Sequence, residues 1–152
     1  MKKLLLSLFL LIVLIGCNQK EDSLTNIKYI RYEDTIEKNE KLYKKGDEIP
    51  YTGLIKNFYP NQNIMTESNF KDGELDGIYK SYYESGQLMI ECNFNNGKRA
   101  GVYKEFFENG KLMFKGNYKN DKLDGISEEF NEQGGLTEQI LYDNGMVQKQ
   151  IK

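Results

Sequence analysis

Two thiols, Cys17 and Cys92, stand in a chain of 152 residues that contains no His. Without an imidazole, Ser-His-Asp and Cys-His catalysis, His-ligated metal sites and a histidine pH switch are all excluded. Two cysteines are too few for a disulfide framework or a Cys-rich metal centre. Carboxylates are plentiful, with 23 Asp plus Glu against 21 Lys plus Arg. They recur at fixed intervals, so no pair stands out for general acid–base work. The glycines sit at turn spacing and form no phosphate-cradling loop. A formal charge of −2 lacks the basic excess of a nucleic-acid binder. The residues therefore suggest no catalytic or metal site, no cofactor and no small-molecule substrate. The chemistry that remains is acylation of one thiol and contact through tyrosine and phenylalanine.

Cys17 owes its reading to what precedes it. Lys2 and Lys3 are followed by an apolar run from Leu4 to Ile15, broken only by Ser7. As a helix this run would reach about 18 Å, short of the roughly 30 Å core of a bilayer. A basic flank and a short apolar stretch suit a secretory signal peptide. The run ends Leu14-Ile15-Gly16-Cys17, which resembles the bacterial lipobox. That resemblance implies a signal peptide over 1–16 and a mature chain beginning at an acylated Cys17. The anchor would be membrane lipid, each buried CH₂ contributing about 0.8 kcal/mol. The implied location is the cell envelope, lipid-anchored to a bacterial membrane. Asn18 is compatible with the outer membrane if the cell is Gram-negative. A plain secretory signal with a coincidental Cys is the competing reading. Residues 17–41 then form a lipidated Cys, a polar tether and a short leader, and 42–52 a lead-in strand and turn.

From Gly53 the chain repeats. Gly53, Gly77, Gly101 and Gly125 are spaced by 24 residues, and a fixed period of this size marks a repeat architecture. Counting each glycine as position 1, position 6 is Phe58, Tyr82, Phe106 and Phe130. Position 18 is Phe70, Phe94, Tyr118 and Tyr142. The units are 53–76, 77–100, 101–124 and 125–148, with a stub at 149–152. Each holds two turn signals. The second reads Asp72-Gly73, Asn96-Gly97, Asn120-Asp121 and Asn144-Gly145, the residue types that supply positive φ to two-residue hairpins. The pattern predicts an all-β, antiparallel meander of eight array strands plus one or two leader strands. The glycine inside the longer strand predicts a one-residue bulge. That bulge would bring positions 23, 2, 6, 12 and 18 to one face.

Tyr82-Tyr83-Glu84-Ser85-Gly86-Gln87-Leu88 and Phe106-Phe107-Glu108-Asn109-Gly110-Lys111-Leu112 resemble the bacterial variant of the MORN repeat. So does Asn117 to Gly125. The resemblance implies an elongated single-layer sheet. Many such proteins are grouped as a YwqK-type antitoxin family, which implies an antitoxin- or immunity-like role on a protein partner.

The position-6 aromatics, with the four position-1 glycines, read as structural. Position 7 holds Tyr59, Tyr83 and Phe107, and strand alternation would put them on the opposite face. With Tyr79 and Tyr103 at position 3 they would form an exposed aromatic surface, the predicted protein contact. Lys56, Lys80 and Lys104 read as solvated charge. The array carries ten basic and fifteen acidic residues, and the last unit has five acids and no Lys or Arg. That acidic end could receive a basic partner. Cys92 reads as a small buried residue. Three roles follow: a membrane-anchored, non-catalytic interaction protein; a structural lipoprotein of the envelope or surface without a specific partner; and, least favoured, an enzyme.

Overall fold

The computed structural model describes residues 28–152. The expected signal peptide, Cys17 with its expected acylation, and the expected tether lie outside the described residues. Among the described residues, no helix is long and apolar enough to cross a membrane.

The leader folds into more strand than expected. β1 (Tyr29–Arg31) is followed by a single 3₁₀ turn over Tyr32–Asp34, then β2 (Thr35–Lys38) and β3 (Lys41–Lys44). β2 and β3 form their own two-stranded sheet. Their turn uses Asn39 and Glu40 at φ 51° and 61°, a left-handed pair without glycine.

The array supplies β4 (Gly53–Phe58), β5 (Ile64–Lys71), β6 (Glu74–Tyr82), β7 (Leu88–Asn95), β8 (Lys98–Phe106) and β9 (Leu112–Lys119). It continues through β10 (Lys122–Leu123), β11 (Gly125–Phe130), β12 (Leu136–Asp143) and β13 (Met146–Gln150). The array strands pair antiparallel in chain order in one sheet, with β10 and β11 both paired to β9. The exception to this direction is β1, which adds parallel to β4 at the N-terminal edge. The all-β meander is therefore as predicted. The leader has three strands instead of one or two, and the last long strand is interrupted at Asp124, giving β10 and β11.

The second turn of each unit has both central residues at positive φ, from Asp72 and Gly73 (50°, 81°) to Asn144 and Gly145 (49°, 86°). That is the type I′ geometry whose twist matches paired strands. The first turn has one such residue per unit: Gln62, Gly86, Gly110 and Gly134.

The bulge differs from expectation. Phe70 pairs with Leu75 and Ser68 with Tyr79, so two steps on β5 match four on β6. The same offset separates Phe94–Arg99 from Cys92–Tyr103. Gly77 and Gly101, at φ 102° and 83°, sit within these bulges, where a Cβ would be strained. Two extra residues preserve parity. Leu75 consequently shares a face with Tyr79, and the position-2 residues Ile78, Val102 and Ile126 turn to the other face, about half exposed.

Candidate functional site

Successive hairpins are joined tip to tip along both edges of the sheet. On the type I′ edge, the Gly97 N–H donates to the Leu75 carbonyl at 2.8 Å, and Gly145 to Leu123 at 2.8 Å. Gly73 donates likewise to Tyr51 at 2.9 Å. Side chains reinforce this edge: Thr52 accepts from the Asp72 N–H, and Asp76 and Asp124 accept from Asn96 and Asn144. Ala100 cannot accept, and there Asp121 instead takes the Arg99 N–H and Nε at 3.0 and 3.1 Å.

On the opposite edge, the Tyr59 phenol donates to the Tyr82 carbonyl and the Tyr83 phenol to the Phe106 carbonyl, each at 2.8 Å. Asn63 Nδ2 donates to the Glu84 carbonyl at 2.8 Å. Position 7 thus opens the turn, with Tyr83 N–H bonded to the Gln87 carbonyl. Strand alternation does not apply there. Tyr59 and Tyr83 are half-buried staples between units, and Phe107, at the same place, lacks the hydroxyl to make the bond.

The predicted common aromatic surface is therefore divided. Tyr79 and Tyr103 do lie on a broad face. Tyr79 packs edge-on against Phe94 at 6.0 Å, and Tyr103 against Phe114 at 6.0 Å and Tyr118 at 5.3 Å. Each is flanked across the sheet by small residues: Tyr79 by Ser68 and Cys92, Tyr103 by Cys92 and Gly116. A Cβ on Gly116 would meet Leu123 Cδ2 at 2.9 Å. In the middle of the array, large residues on long strands thus lie over the small Ser68, Cys92 and Gly116 on short strands, and the last unit inverts this, with Ser127 facing Ile140. The Cys92 thiol is buried, and burial pushes its pKa up to about 11, so it is a poor nucleophile at neutral pH. Burial, then the Glu105 carboxylate that accepts its hydroxyl at 2.6 Å, raises the pKa of Tyr103.

The position-6 aromatics of the first two units do not share a face with the position-18 rings either, whereas Phe130 of the last unit lines one groove with Tyr118 and Tyr142. Tyr82 donates to Glu67 at 2.8 Å, while Phe58 lies under Arg31, whose guanidinium carbon is 4.6 Å from the ring centroid. Both belong to the charged face. There Lys56 pairs with Glu67 at 3.0 Å, Glu91 bridges Lys80 and Lys104 at 3.6 Å each, and Lys115 meets Glu128 at 4.0 Å. Burial raises the Glu67 pKa, but the Tyr82 hydroxyl and the Lys56 ammonium outweigh it and hold the carboxyl below its usual range. These opposite-sign contacts stabilise the face, each exposed pair by about 0.2–1 kcal/mol, although Lys104 also lies directly opposite Lys115. The lysine column is absorbed in that pattern.

One row crosses the aromatic face from end to end. Its N-terminal half is neutral: Asn57 faces Thr66, which faces Ser81, which faces Ile90. Its C-terminal half is acidic: Glu105 faces Phe114, which faces Glu129, which faces Glu138. A groove of about 450 Å³ opens there, lined among others by Glu105, Phe114, Tyr118, Glu129 and Tyr142. The acidity of the last unit was legible in the sequence. Its partition, with Glu128 on the charged face and Glu129 and Glu138 on the aromatic one, depends on register and was missed. Among the described residues no cluster of His, Cys, Asp and Glu could hold a metal ion.

No curated protein and no solved structure matches the chain. The MORN repeat variant family matches residues 75–96, 99–120 and 123–151. Each match begins at the strand leaving a type I′ turn, 24 residues after the last, so the matched frame is the hairpin frame read in another phase. Repeats of this family are generally non-enzymatic and commonly serve interaction or binding. From Leu75 onward, the sheet is a run of MORN repeat variants.

Proposed function

We propose that the chain is a membrane-anchored, non-catalytic binding protein that takes a protein partner on its aromatic face. The observation that carries this reading is the strip of Tyr79, Phe94, Tyr103, Phe114 and Tyr118. These rings pack edge-on yet stay half-buried in a sheet one layer thick. Tyrosine and phenylalanine presented in this way are enriched at interface cores. Anchoring rests on the apolar run and on acylation of Cys17. An antitoxin- or immunity-like role follows from the resemblance of the repeats, and it requires a target that meets the protein in the cell envelope.

Capture of the full chain from detergent-solubilised native membranes tests the reading, with a Tyr79→Ser, Tyr103→Ser variant as control. One stoichiometric partner lost in the variant supports it, and a toxin-like partner supports the immunity role. Normal membrane localisation with no such partner would instead favour a structural envelope lipoprotein. Labelling with radioactive palmitate checks the anchor: incorporation is expected in the native chain and absent in Cys17→Ala.

A further inference from the structure

We propose that the C-terminal part of the aromatic face is a docking groove for an extended, arginine-bearing segment of a partner protein. The inference deepens the binding role above and rests on it. Glu129 and Glu138 are direct cross-strand neighbours on one face. Like charges so placed repel. Their company does nothing to neutralise them. Glu138 accepts from the Gln150 amide at 3.3 Å and Glu105 from the Tyr103 phenol. Among the described residues Glu129 has no side-chain partner, and none of the three carboxylates meets a Lys or Arg. On the charged face each acid of the matching row meets a lysine: Glu91 meets Lys80 and Lys104, and Glu128 meets Lys115.

The chain itself shows how this face holds a guanidinium. Arg99 stacks over Tyr118, with Cζ 4.3 Å from the centroid, while its Nε donates to Asp121 at 3.1 Å. One unit later Leu123 stands in the place of Arg99, and Tyr142 in the place of Tyr118. The last unit therefore keeps the ring but neither the cation nor its acid, since Gly145 stands in the place of Asp121; the carboxylates beside Tyr142 in the groove are Glu105 and Glu129. An arginine supplied in trans would find a ring to stack on and carboxylates for paired hydrogen bonds, which suits guanidinium better than ammonium. Side chains alternate along an extended segment, so every second residue would reach the groove.

The test titrates a fluorescent, alternating Arg-Thr decapeptide into the detergent-solubilised full chain, beside the same peptide with citrulline for arginine. Binding by the arginine peptide alone is expected. Glu129→Gln with Glu138→Gln should weaken it about tenfold, and Tyr142→Ser about threefold. A control pair on the turn edge, Glu84→Gln with Glu108→Gln, should change it less than about twofold. Equal weakening by both pairs, or no binding at all, overturns the groove. If a captured native partner depends on Tyr79 and Tyr103 but not on Glu129 and Glu138, the groove is overturned and the broader role stands. If the peptide binds as expected and no native partner is captured, the groove stands and the broader role falls.

Discussion

The two ends of the sheet begin from one repeating hairpin and finish differently. At the N-terminal end the leader is folded back onto the array. The Leu42 side chain is buried, its N–H donates to the Gly73 carbonyl at 2.9 Å, and Lys41 reaches Glu74 at 3.8 Å. Rings and cations interleave, with Lys56 over Tyr29 and Arg31 over Phe58. At the C-terminal end β13 is exposed along its whole length, and Met146 and Val147 are more than half exposed. Carboxylates stand side by side without cations. A repeat array cannot bury its outer faces alone and needs capping ends. Here one end is committed to closing the fold, and the other retains unfavourable contacts that a folding requirement alone would have removed.

The contrast can be broken most severely at the leader. Leu42→Asp puts a charge into the packed cap and should cost about 2–4 kcal/mol. Val147→Asp at the opposite end should stay within about 0.5 kcal/mol. Urea unfolding of both variants measures the difference. Next comes the alternation of large and small residues in the middle. Cys92→Leu crowds Tyr79 and Tyr103 and should cost about 1–3 kcal/mol. In the native chain the Cys92 thiol should react with a disulfide reagent only once denaturant opens the sheet.

Tyr83→Phe removes one staple between units and should cost about 1 kcal/mol, whereas the equivalent Phe107→Tyr could add a bond to the next unit. Acid titration sharpens the charged face. The folded Glu67 carboxyl is more acidic than in the unfolded chain. Its contribution is therefore complete above the ordinary carboxylate range and is lost as pH falls through the depressed folded value. Glu67→Gln should flatten that part of the stability–pH curve. The smallest effect has the opposite sign. Glu129→Gln should stabilise the isolated protein, by about 0.2–1 kcal/mol, and a thermal melt showing destabilisation would remove the repulsion argument.

Much of the architecture was legible because its signals are local. The 24-residue period, the Asx-Gly turns and the aromatic columns are visible without any knowledge of pairing. What escaped depends on pairing. A glycine marks a bulge but does not say how many residues it holds, and one residue more or less moves a whole strand segment to the other face. Tyr79 and Tyr103 were expected on a broad face, and they are there. Tyr59, Tyr83 and Phe107 were expected on it by alternation and lie instead at the turn edge, because alternation stops where a turn begins; the Tyr-x-x-Gly spacing in Tyr83 to Gly86 was the available warning. The leader hairpin hid because its turn uses Asn39-Glu40 where the usual signal has glycine.

The tip-to-tip bonds also bear on how the array can change in length. Among the described residues, the edge bonds described above each join one hairpin to its neighbour. A duplicated or deleted block of 24 residues would keep the backbone pattern of each junction, while the side chains that reinforce it vary from unit to unit. With strands about 4.8 Å apart, each block would move the acidic end away from the leader by about 9.6 Å. The protein is in this sense a gauge, whose reach is set by counting units while the chemistry at its two ends stays the same.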